Sequence, residues 1–324
     1  MRLDRLLTLY FFHPLSRMLR RNSGTRISIL MYHSILDQDD PNRHPYFQTN
    51  TKPEIFAQQM QFLADNNYNV ISLSEAISLI GGSPQLPNQL NNSVTAAKQP
   101  IPQLPNYSIT SPRKYVVLTW DDGYRDFHDN AWPILKKHGF TATMFLPTGY
   151  ISNDRKSLIG KNCLTWDEVT TLAGEGASFG AHTVSHVQLY ELYKTASKQS
   201  NMSFLRRQES IETMATIDYE LRASKQAIEE KLGRPVDQYS YAYAFPEQDQ
   251  KFVDIYGKAL KREGYRSAVS TRIGTAKRGD RLYILKRIPV NSHDDDGFLR
   301  AKLGGGYDWL NRIQVIKKMV KFAG

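Results

Sequence analysis

A single cysteine, Cys163, stands in the 324 residues, so an internal disulfide and a thiolate metal cluster are both excluded. A lone cysteine of this kind reads as a small core residue before it reads as a nucleophile. Apolar stretches near the start of the chain are too short to cross a bilayer, which needs roughly 20 consecutive apolar residues. A basic folded body is also missing. The net charge of +10 is concentrated in residues 1–30, with +5, and residues 295–324, with +3, leaving about +2 for everything between. A nucleic-acid protein would show its basic face on the folded body, so nucleic acid is not expected as a partner. Gly81 to Pro112 lacks any acidic residue and holds six of the 15 prolines, a composition unable to build its own core. What remains is ample for a folded protein: 40% hydrophobic residues and 18 tyrosines suffice for one large core or two modest ones.

Two short strings carry chemistry. Thr119-Trp120-Asp121-Asp122-Gly123-Tyr124 offers adjacent carboxylates, and His182-Thr183-Val184-Ser185-His186 offers a histidine pair at i,i+4. An Asp-Gly pair after an apolar run is also a common turn, and paired histidines are often solvated, so either string alone decides nothing. Together they suggest a hydrolytic metal site. Neutral imidazoles and a carboxylate are what a borderline divalent ion such as zinc takes in catalytic sites, where three protein ligands leave a position for water. Asp122, His182 and His186 fill those places. Such an ion lowers the pKa of water from about 15.7 towards roughly 7. A carboxylate beside the ion is then needed as general base, and Asp121 is placed for it.

Strand-like and helix-like segments alternate along the chain. Strands are expected at Arg26–His33, Lys114–Trp120, Phe140–Thr148, Ala177–His182, Tyr239–Phe245, Tyr265–Thr271 and Leu282–Val290. Helices are expected at Pro53–Asn66, Tyr124–His138, Trp166–Gly174, Ile217–Leu232 and Phe252–Glu263, the fourth closed by Gly233 and Pro235. Repeated βα units imply an α/β fold with a parallel sheet or barrel, and both chemical strings fall at the C-terminal ends of strands, where such folds place their sites. The main domain is expected over residues 25–300, with inserted mobile loops at 81–112 and 194–214 and a basic C-terminal helix at 301–324. Passive surface insertion is the preferred reading of both loops; the alternative is that either flanks the cleft. Residues 1–24 form a basic amphipathic segment, with Leu3, Leu6, Leu7, Tyr10, Phe11, Leu15, Met18 and Leu19 near one face and most arginines off it. It reads equally as a helix packed on the body or as one lying on an anionic membrane, and Pro14 should kink it.

The first string resembles the Thr-Phe-Asp-Asp-Gly-Tyr signature of the polysaccharide deacetylases, carbohydrate esterase family four, with Trp120 in place of phenylalanine. The second resembles that family's His-Thr/Ser-x-x-x-His motif. This resemblance implies a distorted, incomplete (β/α) barrel, Asp121 as general base, and Asp122, His182 and His186 as metal ligands. Ile29-Leu30-Met31-Tyr32-His33 looks like the opening strand of the poly-N-acetylglucosamine deacetylase branch, in which motif order is circularly permuted. That likeness makes His33 the candidate general acid; otherwise it is a core histidine ending a strand. Near pH 7 a neighbouring carboxylate should favour its protonation. Tyr243-Ala244-Phe245-Pro246-Glu247-Gln248 resembles the third motif, Phe-Ala-Tyr-Pro-Tyr-Gly, with Pro246 kept, Glu247 replacing the tyrosine and Gln248 the glycine. The motif implies that Glu247 contributes its main-chain amide to the oxyanion site. Lys286-Arg287-Ile288-Pro289-Val290 resembles the late strand whose arginine braces the catalytic carboxylate, and this role is preferred for Arg287 over that of a bare strand-end ion pair.

The activity implied is metal-dependent removal of N-acetyl groups from an N-acetylated polysaccharide or glycan, with zinc the expected ion and Trp120 and Tyr124 stacking on sugar faces. Core packing is an equal reading of Trp120. Two rivals stay open: an amidohydrolase on a small nitrogenous substrate, and a carbohydrate-binding protein that kept the fold without turnover. The early arginines and the missing small-residue cleavage site argue against a cleavable signal peptide, so a cytoplasmic or membrane-peripheral location is expected, with an extracytoplasmic one as the alternative. The oligomeric state is left open.

Overall fold

A computed structural model describes residues 3–19, 26–38, 44, 48–81, 114–199, 204–311 and 313–314. Seven parallel strands close into a barrel in strict chain order: β1 (Arg26–Tyr32), β2 (Tyr115–Trp120), β3 (Thr143–Leu146), β4 (Ser178–Ala181), β5 (Gln238–Ser240), β6 (Ser267–Ile273) and β7 (Leu285–Pro289). The seam closes because β1 pairs with β2 on one edge and with β7 on the other, Leu30 lying opposite both Leu118 and Ile288. The ring is one strand short of the eight-stranded form. Strands β1 and β2 are buried along almost their whole length, as parallel strands covered on both faces must be. Near-continuous apolar runs, Ile-Ser-Ile-Leu-Met-Tyr and Val-Val-Leu-Thr-Trp, meet that demand.

Helices occupy most crossovers, and their ends follow local chemistry. Helix α1 (Pro53–Asp65) starts with proline at its first position, where a missing N–H costs nothing. Helix α2 (Trp132–His138) stops at Gly139, whose φ of 63° is the left-handed cap that favours glycine. Helix α3 (Trp166–Gly174) opens with a reciprocal capping box between Thr165 and Glu168.

Two expectations need correction. The segment 194–214 is not a loop where it is described, since helices α4 (Leu189–Gln199) and α5 (Phe204–Leu232) take most of it. Polarity alone suggested a loop, but the stretch has neither glycine nor proline and is rich in good helix formers. Residues 302–309 do not continue a basic helix, and helix resumes only at Leu310. Asp296–Ala301 is followed by a wide turn, Lys302–Gly306, in which Gly305 adopts φ 69° and breaks the helix, and Lys302 is buried on Asp294 at 2.8 Å. The helical run Leu3–Leu19 passes through Pro14, and Thr8–Phe12 within it forms a π-turn one residue wider than an α-turn. That extra residue relieves the clash that a proline ring makes with the preceding turn. The expected loop at 81–112 and the end of the chain past residue 314 lie outside the described residues, apart from Gly81, which ends a helix.

Candidate metal and catalytic site

Strand β2 delivers the two aspartates and then turns sharply. Asp122 and Gly123 both sit in the left-handed region, at φ 74° and 62°, a conformation aspartate tolerates better than most residues. A Cβ on Gly123 would come within 3.0–3.3 Å of Ile151, Leu146 and Pro147, so the turn needs glycine for space as well as for its backbone angle. The double left-handed turn aims the neighbouring carboxylates at different partners.

His182 follows β4 directly, and His186 returns to the same spot through a loop with Thr183 at φ 69° and His186 at φ 55°. Glu220, on α5 and 5% exposed, holds that loop: its carboxylate accepts hydrogen bonds from the Val184 and Ser185 amides at 2.7 and 3.0 Å and from the Ser185 hydroxyl at 2.6 Å. The result is convergence of Asp122, His182 and His186, all buried, with one ligand atom from each within 4.8 Å of the others. The Nε2 atoms of His182 and His186 lie 3.4 and 3.1 Å from Asp122 Oδ1. His182 donates from Nδ1 to the Ser240 carbonyl at 2.8 Å, which fixes its ring and presents Nε2 inward. Metal-binding histidines are commonly oriented in this way, so the residues present fit a divalent ion. Burial opposes charge on Asp122, but the two histidines outweigh it and hold the carboxyl well below its usual range.

Asp121, beside that cluster, is committed to a buried ion pair. Its two oxygens accept from Arg287 Nη1 and Nη2 at 2.8 and 2.6 Å, and Oδ1 also accepts from the Ser240 hydroxyl at 2.9 Å. Arg287 is fully buried, and its remaining hydrogen bonds reach the Ser270 carbonyl, Thr119 Oγ1 and Ser240 Oγ. Burial pushes the Asp121 carboxyl up, while the Arg287 guanidinium and His182 more than reverse that and lower it. Arg287 therefore holds the aspartate through two hydrogen bonds in a buried ion pair.

His33, at the end of β1, places Nε2 4.0 Å from Asp121 Oδ2. The carboxylates do not win its proton balance, contrary to expectation: burial lowers the pKa, and Arg287 and His182 add to that against Asp122 and Asp121. The next two residues are pinned by Asp126, which accepts from Ser34 Oγ at 2.5 Å and the Ile35 amide at 2.8 Å, tying the His33 strand to the loop that carries the aspartates.

The proposed sugar-stacking residues are placed differently. Trp120 is completely buried, stacked on Tyr32 at 4.8 Å and wedged against Phe56 and Phe127, so it is core. Tyr124 is 4% exposed; burial and a hydrogen bond to Asp122 raise its pKa, and it offers no open ring face. Pro246 and Glu247 are buried, the latter with its carboxylate 3.8 Å from Arg272 Nε. The ring that reaches the ligands belongs to Tyr243, half exposed, 4.9 Å from His186 and at φ 63°. The third string is thus better read four residues earlier, on Tyr239-Ser240-Tyr241-Ala242-Tyr243-Ala244. In that register the tyrosine is present as Tyr243, Ala242 replaces the proline, and Ser240 supplies both the His182 acceptor and an Asp121 donor.

Residues 108–266 match the polysaccharide deacetylase family. The chain carries a polysaccharide deacetylase domain. Its matched segment holds β2 to β5 with Asp121, Asp122, His182 and His186, whereas His33 and Arg287 come from strands outside it that the closed ring brings alongside. YxkH of Bacillus subtilis, which bears a provisional polysaccharide deacetylase name, is 26% identical over 276 residues, covering 85% of this chain and 75% of that one. Among solved structures, the Streptococcus pyogenes deacetylase PplD matches 87% of this chain and 99% of its own, with TM-score 0.60 and 24% identity. IcaB from Ammonifex degensii matches 87% and 98%, with TM-score 0.58 and 20% identity. At these identities the two structures establish the shared barrel fold.

Proposed function

We propose that this protein hydrolyses the acetamide of N-acetylated sugar residues in a glycan, using a divalent ion, zinc by the chemistry of its ligands, held by Asp122, His182 and His186. The observation that carries the reading is one carboxylate shared by two inward-facing imidazoles, with a second carboxylate beside it that is committed to arginine instead. When bound, the ion would polarise the acetamide carbonyl and acidify water. The protein's own groups divide the remaining work. Asp121 stays ionised because Arg287 holds it so, and Oδ2, which accepts only from Arg287 whereas Oδ1 accepts from Ser240 as well, faces His33 and keeps capacity to accept a proton. His33 has a lowered proton affinity, so its protonated form is a correspondingly willing donor to the departing amine. Tyr243 stands half exposed over His186 as the aromatic surface available to a sugar ring. The barrel neighbour PplD holds acetate, the product that such a reaction releases.

Acetate release from N-acetylglucosamine oligomers, abolished by chelation and restored by zinc, is the expected result. Asp121→Asn should keep its metal while losing roughly 10²-fold or more in rate, whereas His182→Ala should lose the metal itself. Failure of metal-loaded protein to turn over any acetylated glycan would favour the carbohydrate-binding alternative. Release from small amides alone would favour the amidohydrolase.

A further inference from the structure

The helical run Leu3–Leu19 leaves a row of large apolar side chains on its outer side. Its inner side is fastened largely by polar contacts: Asp4 accepts from the Tyr307 hydroxyl at 2.9 Å, Thr8 Oγ1 accepts from Trp309 Nε1 at 3.0 Å, and Arg5 pairs with Asp295. Phe12 stacks on Trp309 with ring centres 4.6 Å apart, and Leu9 packs beneath. The outer side shows Leu3, Leu7, Tyr10, Phe11, Leu15 and Met18, with Tyr10, Met18 and Leu3 at 78, 70 and 67% exposure. These six are most of the ten large exposed hydrophobics among the described residues, gathered on one short segment. A soluble helix packed on a barrel turns such a stripe inward.

We propose that this face docks on the surface of a lipid bilayer carrying anionic headgroups, with the helix lying in the interface. Charge selects this occupant. Arg5 is paired with Asp295 and Asp4 is turned inward onto the Tyr307 hydroxyl, which leaves Arg17, exposed on the outer side, with Arg2, Arg20 and Arg21 in the adjoining sequence and no acidic residue among these four. A second copy meeting the first through this face would set those arginines against their own kind, whereas an anionic membrane attracts them. No helix among the described residues is long and apolar enough to cross a membrane, so the contact is peripheral. Tyr10 and Phe11, the exposed aromatic pair, suit the headgroup boundary, where an amphipathic helix buries its apolar face by about 5–10 Å. The proposal is independent of the reaction the barrel performs.

The test is co-sedimentation with large unilamellar vesicles of phosphatidylcholine, alone or mixed with phosphatidylglycerol. Wild-type protein should bind the mixed vesicles, bind the neutral ones more weakly, and let go of the mixed ones as salt is raised. The double variant Tyr10→Ser/Phe11→Ser should lose about tenfold or more in partitioning, with an unchanged thermal midpoint. Ile159→Ser, which removes an exposed hydrophobic elsewhere, should bind as wild type does. Should the double variant fail to fold, Leu3→Ser/Met18→Ser carries the same expectation. Absence of wild-type binding to anionic vesicles would overturn the proposal, as would variants that bind undiminished. So would a vesicle-free dimer, seen by ultracentrifugation in the wild type and lost in the variants, because it would give the face to a second copy.

Discussion

Replacing Arg287 with methionine keeps bulk and removes charge at a position with no exposure to solvent. The guanidinium makes five hydrogen bonds, two of them to Asp121, and this saturates its five N–H donors. Without it, the Asp121 carboxylate, 2% exposed, keeps only Ser240 as a hydrogen-bonding partner on that side. Breaking one half of a buried ion pair costs about 3–5 kcal/mol, a large share of the roughly 5–15 kcal/mol by which proteins of ordinary stability stay folded. The loss should depend on pH with a definite sign. In wild type the Asp121 pKa is depressed, so its contribution is present above the unfolded value of about 3.9 and fades as pH falls through the folded one. In Arg287→Met the main lowering influence is gone and burial outweighs the smaller pull of His182 and His33, so the folded pKa rises above the unfolded one and stability drops with increasing pH by about 1.4 kcal/mol per unit until the raised pKa is passed. Urea denaturation at pH 5 and pH 8 should therefore show a larger gap between variant and wild type at the higher pH. Adding Asp121→Asn to Arg287→Met should recover part of the loss. Equal gaps at both pH values, together with strictly additive single and double variants, would refute the account of Arg287 as a charge partner.

Other expectations follow from single contacts. Glu220→Ala removes the acceptor that fastens the His186 loop and should weaken zinc affinity by about 10–100-fold in a competition assay, with rate recovering at saturating metal. Gly180→Ala would set a Cβ 2.5 Å from the Phe145 ring and 2.8 Å from the Gln238 carbonyl oxygen, and should cost about 1–3 kcal/mol by chemical denaturation. Burial pushes the Glu168 carboxyl up, but Arg155 and the Thr165 amide bring it down to about 2, so its stabilisation is full above about pH 4.5 and lost as pH falls towards 2. With solvent screening this is worth about 1–2 kcal/mol, and the melting difference between wild type and Glu168→Gln should shrink across that range.

Much of this was legible in the sequence because the site lies where the strands end. Apolar runs located all seven barrel strands to within a few residues, and the residues just beyond two of them, Asp122 and His182, are two of the three that converge, with Asp121 next to them on Arg287. The third string misled because Pro246 was taken as its anchor, while the residue that approaches the ligands, Tyr243, is fixed by the end of β5 at Ser240. Trp120 looked available to sugar because of its place beside the aspartates, yet strand alternation turns it into the core against Tyr32. Glu220 went unread although it left a trace. It stands on the same face of α5 as buried Ile217, Leu221, Ser224 and Ile228, and a carboxylate on an apolar stripe calls for a partner. The helix through 204–214 was hidden by polarity, since its amphipathic signal is weak and its helix-forming composition had to be read instead.

The seam of the barrel also bears on how the protein acquires activity during synthesis. Strand β1 needs β7 beside it, and 252 residues separate the end of one from the start of the other. A nascent chain therefore exposes one flank of its first strand until nearly everything else has left the ribosome. Pairings this distant carry a high entropic cost and form slowly. Until they form, Arg287 is not beside Asp121, so a ribosome-stalled or prematurely ended product that gathers the two histidines still leaves that carboxylate without its arginine.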